Sequence, residues 1–272
     1  MENIEKTAKD FITKNPRNTI SEEIALEPET VGLQIYDDPG FAYGSAEDKV
    51  FSEIKNPEVV GSHHLMPRDW LPQAKTVISV FLPFSEQVRE ANRRDYRLPA
   101  SHWFHARIQG QELLSALMIY LCDWVKARGY DCVVPSEDKR FRTGGHDKKN
   151  DFTSNWSERH VAYTCGHGTF GLSAGLITKK GVAGRFGSLV TNMEFPVTEK
   201  DYTGSFDYCS KCGICAEHCP AEAISFENGK DHKKCSDFLD ATRKSPYYGC
   251  GKCQVGVPCE TKPACIPTEY KK

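Results

Sequence analysis

The sequence predicts a mixed α/β fold, α+β in arrangement, with a small cysteine-rich module at its C-terminal end. Three observations predict it. Nine of the twelve cysteines lie after residue 205. Ala74-Lys-Thr-Val-Ile-Ser-Val-Phe-Leu-Pro83 is a run of β-branched and apolar residues between two prolines, which reads as a buried central strand. Residues 103–128 carry Phe104, Ile108, Leu113, Leu114, Leu117, Met118, Leu121 and Val125 at helical spacing and end at Gly129, as a long core helix does.

A chain of 272 residues can bury a sizeable core as one large domain or two. The cysteine distribution divides it into residues 1–204 and a cluster-binding module at 205–272. Cys122, Cys132 and Cys165, in the first part, read as buried small apolar side chains. The net charge of −2 gives no global pull toward nucleic acid. No window of about 18 apolar residues offers a membrane span. The N-terminal Met-Glu-Asn-Ile-Glu-Lys lacks the basic start and apolar stretch of an export signal, and Arg93-Arg94 lies too deep to be one, so a reducing cytoplasm is expected.

The remaining elements follow in order. Residues 2–14 repeat Ile4, Ala8, Phe11 and Ile12 at helical spacing. From Val31 to Tyr43 the pattern is mixed, with Asp37-Asp38-Pro39-Gly40 as a turn. Residues 85–99 carry Arg89, Arg93, Arg94 and Arg97, either a solvated helix face or a clamp for phosphate or carboxylate groups. Cys132-Val-Val-Pro135 reads as a short strand. The polar, basic stretch 136–155 is long for an idle loop and leads into a helix capped by Asn155 or Ser157 and running to about Cys165. Between Gly166 and Ser188 seven glycines fall within 23 residues. Such a segment either makes plain turns or lets main-chain N–H groups approach a flat or anionic ligand. Arg185 to Met193 closes this part as a strand.

The chemistry is carried by Cys209-Ser-Lys-Cys212-Gly-Ile-Cys215-Ala-Glu-His-Cys219-Pro220. At C-x2-C-x2-C-x3-C-P spacing, three thiolates grip one iron–sulfur cube and the fourth points to a second. The partner set is Cys235, Cys250, Cys253 and Cys259. Crossing of the ferredoxin kind assigns Cys209, Cys212, Cys215 and Cys259 to one 4Fe-4S cluster, and Cys219, Cys235, Cys250 and Cys253 to the other. The second set is irregular: Glu260 stands where a proline normally follows, and the gap before Cys259 is two residues long of the usual one. Zinc favours separate C-x2-C pairs and leaves the run of four unexplained. Cys265 is left as a spare thiol, a substitute ligand, or a partner for Cys259.

Beyond the cysteines, the chain resembles the family of epoxyqueuosine reductase and the reductive dehalogenases. The matching pieces are Met66-Pro-Arg68 with Ala74-Lys-Thr-Val-Ile78, Trp103-Phe-His105, Arg159-His-Val-Ala162, Gly166-His-Gly-Thr-Phe-Gly171 with Leu176-Ile-Thr178, Phe186-Gly-Ser-Leu-Val-Thr191 and Gly249-Cys-Gly-Lys-Cys-Gln254. The resemblance implies a nitroreductase-like N-terminal domain holding a cobalamin, fed with electrons through two clusters. It implies cofactor contacts at Gly166, Gly168, Thr169, Gly171, Gly181, Gly184, Arg185 and Ser188. It also implies a proton donor at Asp151, one residue off the family spacing, or at His105, which otherwise reads as a capping or packing residue.

The family's epoxyqueuosine reductase carries helical repeats after the clusters that help hold transfer RNA. This sequence does not show them, so a small-molecule or modified-base substrate is expected rather than transfer RNA. A low-potential carrier such as a ferredoxin or flavodoxin is the expected electron donor. Two other readings stay open: an electron carrier with no catalytic centre of its own, and a flavin-dependent reductase.

Overall fold

A computed structural model of the chain describes residues 3–144 and 152–265. In chain order the elements are α1 (Ile4–Lys14), β1 (Gly40–Ser45), α2 (Val50–Glu53), α3 (Pro67–Trp70), β2 (Thr76–Pro83), α4 (Glu86–Arg93), α5 (Ser101–Lys126), β3 (Cys132–Val133), α6 (Glu158–Cys165), β4 (Gly168–Phe170), β5 (Leu176–Thr178) and β6 (Gly184–Thr191). After them come α7 (Ile214–Glu217), β7 (Ile224–Ser225), β8 (Gly229–Lys230) and α8 (His232–Ala241). The chain is therefore a mixed α/β structure.

The main sheet has the order β1-β2-β6-β3 and is antiparallel throughout, with Ile78 opposite Leu189 and Val80 opposite Gly187. All eight positions of β2 are buried. A strand is buried on both sides only when both sheet faces are covered, and the alternation of β2 shows what covers each. Ile78, Val80 and Leu82 pack with Leu113, Leu114, Leu117 and Leu121 of α5 and with Ile4 and Ile12 of α1. Val77 faces the other way, toward Trp156, Val161 and Cys165 at and around α6. Each fully buried leucine on α5 contributes roughly 1.5–3 kcal/mol by leaving water, which is how one central helix holds this face of the sheet.

The helix and strand expected at residues 103–128 and 74–83 form within two residues of those bounds. The mixed stretch 31–43 conceals β1, which starts directly after the Asp37–Gly40 turn. Two glycines in Gly-Phe-Ala-Tyr-Gly-Ser hide it, since glycine disfavours a strand in isolation. The glycine-rich block folds as the β4–β5 hairpin followed by β6. The side chain of Ser188, in the middle of β6, is fully buried and accepts a 2.9 Å hydrogen bond from the Trp156 indole N–H. Ser188 therefore serves the layer beneath the sheet. No helix among the described residues is long and apolar enough to cross a membrane.

Ser188→Ala is expected to leave the Trp156 N–H buried and unpaired, at a cost of about 1–3 kcal/mol. Urea unfolding of wild type and variant checks this, and metal content should be unchanged.

Candidate functional site

The cysteine run follows a stretch of bends and turns after β6. Tyr208, fully buried, donates its backbone N–H to Thr169 Oγ1 at 2.8 Å and its hydroxyl to Asp201. Gly213 then takes φ +83° and opens the single turn α7, so that Cys209, Cys212, Cys215 and Cys219 wrap a tight loop. The later cysteines arrive on two other supports. Cys235 lies in α8, and Cys250 and Cys253 flank Gly251 at φ +66°. A Cβ on Gly251 would lie 1.9 Å from the Trp103 ring, so only glycine lets this loop rest on the start of α5.

Two groups of thiols result. Burial, then repulsion from Cys209, Cys215 and Cys212, pushes Cys259 up to about 12. Cys253 is raised by burial and by its neighbours Cys235 and Cys219, and Cys250 is pushed up to about 12 by burial, with Cys253 and Cys235 adding. The groups adjoin, since Cys215 also feels Cys253. Lys230 and Lys252 act on the second group in the opposite sense, favouring thiolate. Among the described residues no three His, Cys, Asp or Glu side chains converge tightly enough to hold one ion. Ligands of a multi-iron cube each bind a different iron, so they need no such convergence. Cys265 donates to the Asp207 carbonyl at 2.9 Å and lies near Cys209.

The basic stretch 85–99 clamps the protein's own carboxylate. Arg89 reaches Glu260 at 2.9 Å and Arg93 reaches it at 3.5 Å, and the second Glu260 oxygen accepts the Gly256 N–H at 2.6 Å. Glu260, unexpected in place of proline, thereby fixes the segment carrying Cys259 to α4. Lys252, only 1% exposed, donates to the Asn92 carbonyl at 2.7 Å and to its side-chain oxygen at 3.0 Å, while Asn92 Nδ2 donates to the Cys250 carbonyl at 2.8 Å.

The glycine-rich block supplies the other half of this mount. A Cβ on Gly168 would lie 1.9 Å from the Ile177 carbonyl and 2.9 Å from the Tyr208 ring, and one on Gly181 would lie 2.0 Å from the Glu260 carbonyl. The Val182 N–H donates to the Cys259 carbonyl at 2.9 Å. Gly166 and Gly171 abut Thr198 and Ile177. Gly166, Gly168, Thr169, Gly171 and Gly181 thus face other parts of the chain, several of them the cysteine segments. None lines the main cavity, whereas Gly184 and Arg185 do.

That cavity, about 800 Å³, lies between β6, α5, the start of α6 and the second cysteine group, and Cys219, Cys235, Cys250 and Cys253 form part of its wall. Phe84, Trp103, Phe141, Phe152 and Phe186 give it an aromatic side. His105 is absent from its lining. Its Nε2 accepts the Leu26 N–H at 3.1 Å and its Nδ1 bonds Gln109 Oε1 at 2.9 Å, so both nitrogens are engaged in packing α5. The structure thus gives His105 a packing role and places it outside the cavity lining. Asp151 lies outside the described residues.

Two acids line the cavity, Glu137 and Glu158, and Glu158 is the first residue of α6. Both Glu158 oxygens are shut off from water, and burial pushes its carboxyl up to about 8, opposed by the Ser188 hydroxyl beside it. Nothing in the sequence singled it out, because an acid in a helix's first turn usually lies at the surface and complements the helix dipole.

Compared with known proteins, residues 203–225 match the family described as the 4Fe-4S binding domain. The epoxyqueuosine reductase of Streptococcus thermophilus superposes with a TM-score of 0.51 at 16% identity, over 85% of this chain and 65% of that one. A catabolic reductive dehalogenase in complex with 3-bromo-4-hydroxybenzoic acid gives 0.52 at 15% identity, over 96% of this chain and 36% of that one. The fold is that of epoxyqueuosine reductase and the reductive dehalogenases. In sequence, the trichloroethene reductive dehalogenase of Dehalococcoides mccartyi is 31% identical over 70 residues, 25% of this chain and 12% of that protein. The PorD subunit of pyruvate synthase from Methanothermobacter marburgensis is 50% identical over 32 residues. The chain spans under two thirds of the epoxyqueuosine reductase and about a third of the dehalogenase.

Glu158 has a sign that stability measurements can read. Its folded pKa lies above its ordinary 4.5, at about 8. The unfolded chain therefore releases this proton first as pH rises. Stability is expected to fall between about pH 4.5 and about 8, by up to about 1.4 kcal/mol per pH unit from this group, and to level off above. Denaturant unfolding across pH 5–9 should show that slope in wild type and its loss in Glu158→Gln.

Proposed function

We propose that the protein is a reductase in which two 4Fe-4S clusters deliver electrons, one at a time, to a substrate held in the 800 Å³ cavity. One observation carries this reading: Cys219, Cys235, Cys250 and Cys253 share a cavity wall with Glu158, Arg159 and Arg185. An electron source, a neutral acid and cationic side chains thus meet in one partly closed space. Cys209, Cys212, Cys215 and Cys259 would hold the outer cluster, whose segment is anchored by Tyr208 and Glu260.

Cobalamin, which the resemblance implies, fits the residues present. Its macrocycle is broad and apolar with an amide fringe, and the aromatic wall, the β6 backbone at Gly184 to Gly187 and the arginines offer matching surface and donors. When bound, it supplies the low-potential reducing centre. The chain's own residues do the rest. Phe84 and Trp103, both buried, keep water from the α5 side of the cavity, which strengthens electrostatic contacts there. Glu158, kept protonated by burial, offers the proton that a two-electron reduction consumes. The reading includes a nitroreductase-like core, a small-molecule substrate, a cytoplasmic setting, and a ferredoxin or flavodoxin as donor.

Anaerobic purification with added hydroxocobalamin, followed by iron and cobalt analysis and electron paramagnetic resonance, tests the reading. About eight irons per chain are expected, as two four-iron clusters require, with one cobalt. Cys215→Ser and Cys253→Ser are each expected to lose about one cluster's iron and spectral signal. Full iron without cobalt or flavin would instead favour an electron carrier, the reading that the short match to PorD would then support.

A further inference from the structure

Three arginines line the cavity, and among the described residues none has an acidic partner. Arg107 Nη2 donates to the Tyr248 hydroxyl at 3.0 Å, and its guanidinium lies 4.6 Å from that ring's centre. Arg159 Nη1 donates to the Ala174 carbonyl at 2.7 Å. Arg185 Nε donates to Gln111 Oε1 at 2.9 Å, and its Nη2 to the same oxygen. Every one of these acceptors is neutral. Among the described residues no carboxylate lies within ion-pair distance of any of the three, although the cavity lining includes Glu137 and Glu158.

The arginines also stand close enough to repel one another. Burial, then Arg107, lowers Arg185 to about 10, and Arg159 adds to the shift. Burial and Arg107 likewise lower Arg159, while the neighbouring Cys253 and Cys235 favour its charge. As ligands of a four-iron cube, which keeps a net negative charge with four thiolates, those two sulfurs would also favour the Arg159 charge, whereas no cysteine acts on Arg185 among the causes of its shift. Lys230 adds positive charge to the wall, and His232, lowered by burial and by Lys230, adds none near neutral pH. A cavity wall carrying several like charges attracts a counter-charge, and a guanidinium fork matches a carboxylate or phosphate by two parallel hydrogen bonds.

We propose that the cavity binds an anionic group, a carboxylate or phosphate, between Arg107, Arg159 and Arg185. Its ligand is then an anion with an apolar, aromatic body that suits Trp103, Phe141 and Phe186. The inference rests on the reading of this cavity as the reductase's reaction chamber and narrows the ligand class. The same chemistry is available from two sources, the substrate itself or the phosphate of a cobalamin's nucleotide tail.

Two ligand pairs separate them. Full-length protein with clusters reconstituted anaerobically is titrated with 4-hydroxybenzoate against 4-hydroxybenzamide, which differ in charge. It is also titrated with hydroxocobalamin against cobinamide, which lacks the nucleotide phosphate. In wild type the anionic member of at least one pair should bind about tenfold tighter or more. Arg159→Gln and Arg185→Gln should each erase most of that preference, and Arg185→Lys should keep part of it. Preference within the benzoate pair assigns the anion to the substrate; preference within the corrinoid pair assigns it to the cofactor. Equal binding within both pairs, no binding of any of the four, or a preference that survives both glutamine variants would overturn the proposal. Iron content and thermal midpoints of the same samples show whether each variant is folded. A chain without reducible clusters that still prefers the anions would sink the reductase reading and leave the anion site standing.

Discussion

The Glu260 carboxylate, gripped by Arg89 and Arg93, is the contact on which the rest of the structure turns. Cys259 must travel back to the loop holding Cys209, Cys212 and Cys215, and a chain end with little regular structure would not stay there unaided. The carboxylate is mostly buried, and an ion pair at this depth offsets its desolvation only when its other lone pairs are also satisfied. Here they are, by the Gly256 N–H. Asn92 does the same for the Cys250 loop from the next turn of α4. One short helix therefore sets the distance between the cysteine groups and the sheet.

The β4–β5 hairpin works with α4 from the opposite side. It presents Thr169 to Tyr208, the turn after it presents Val182 to Cys259, and Gly168 and Gly181 remove the side chains that would hold the cysteine segments away. The cysteine-rich part is thus seated in the α/β part, and Val255 and Val257 join hydrophobic clusters begun far earlier in the chain. The cavity is a by-product of this seating: β6 and α5 form one wall, and the cysteine segment forms the other.

What the sequence made legible was local. The spacing of Cys209 to Cys219, the continuous apolar run of β2 and the helical period of α5 each encode their structure within a few residues. What it hid was long-range. Gly181 is required by a carbonyl at Glu260, some eighty residues on, and no local pattern reveals that approach. The arginines of 85–99 announced a clamp without saying for what. Glu158 stayed invisible because its burial is made by β6 and by Trp156's layer, whereas its position in the helix reads as a surface one. His105 shows the same limit from the other side, since a histidine at a helix start gives no sign of the two partners that engage it.

Lys230 and Lys252 approach the second cysteine group, and Arg159 faces the same sulfurs from the cavity. Among the described residues, the charged groups that act most on Cys215 and Cys259 are other cysteines. Positive charge and hydrogen bonds near a cluster raise its reduction potential. With iron in both groups, the inner cluster would be the easier to reduce, and electrons entering at the outer one would run downhill toward the cavity. The placement of three cations would then give the relay its direction.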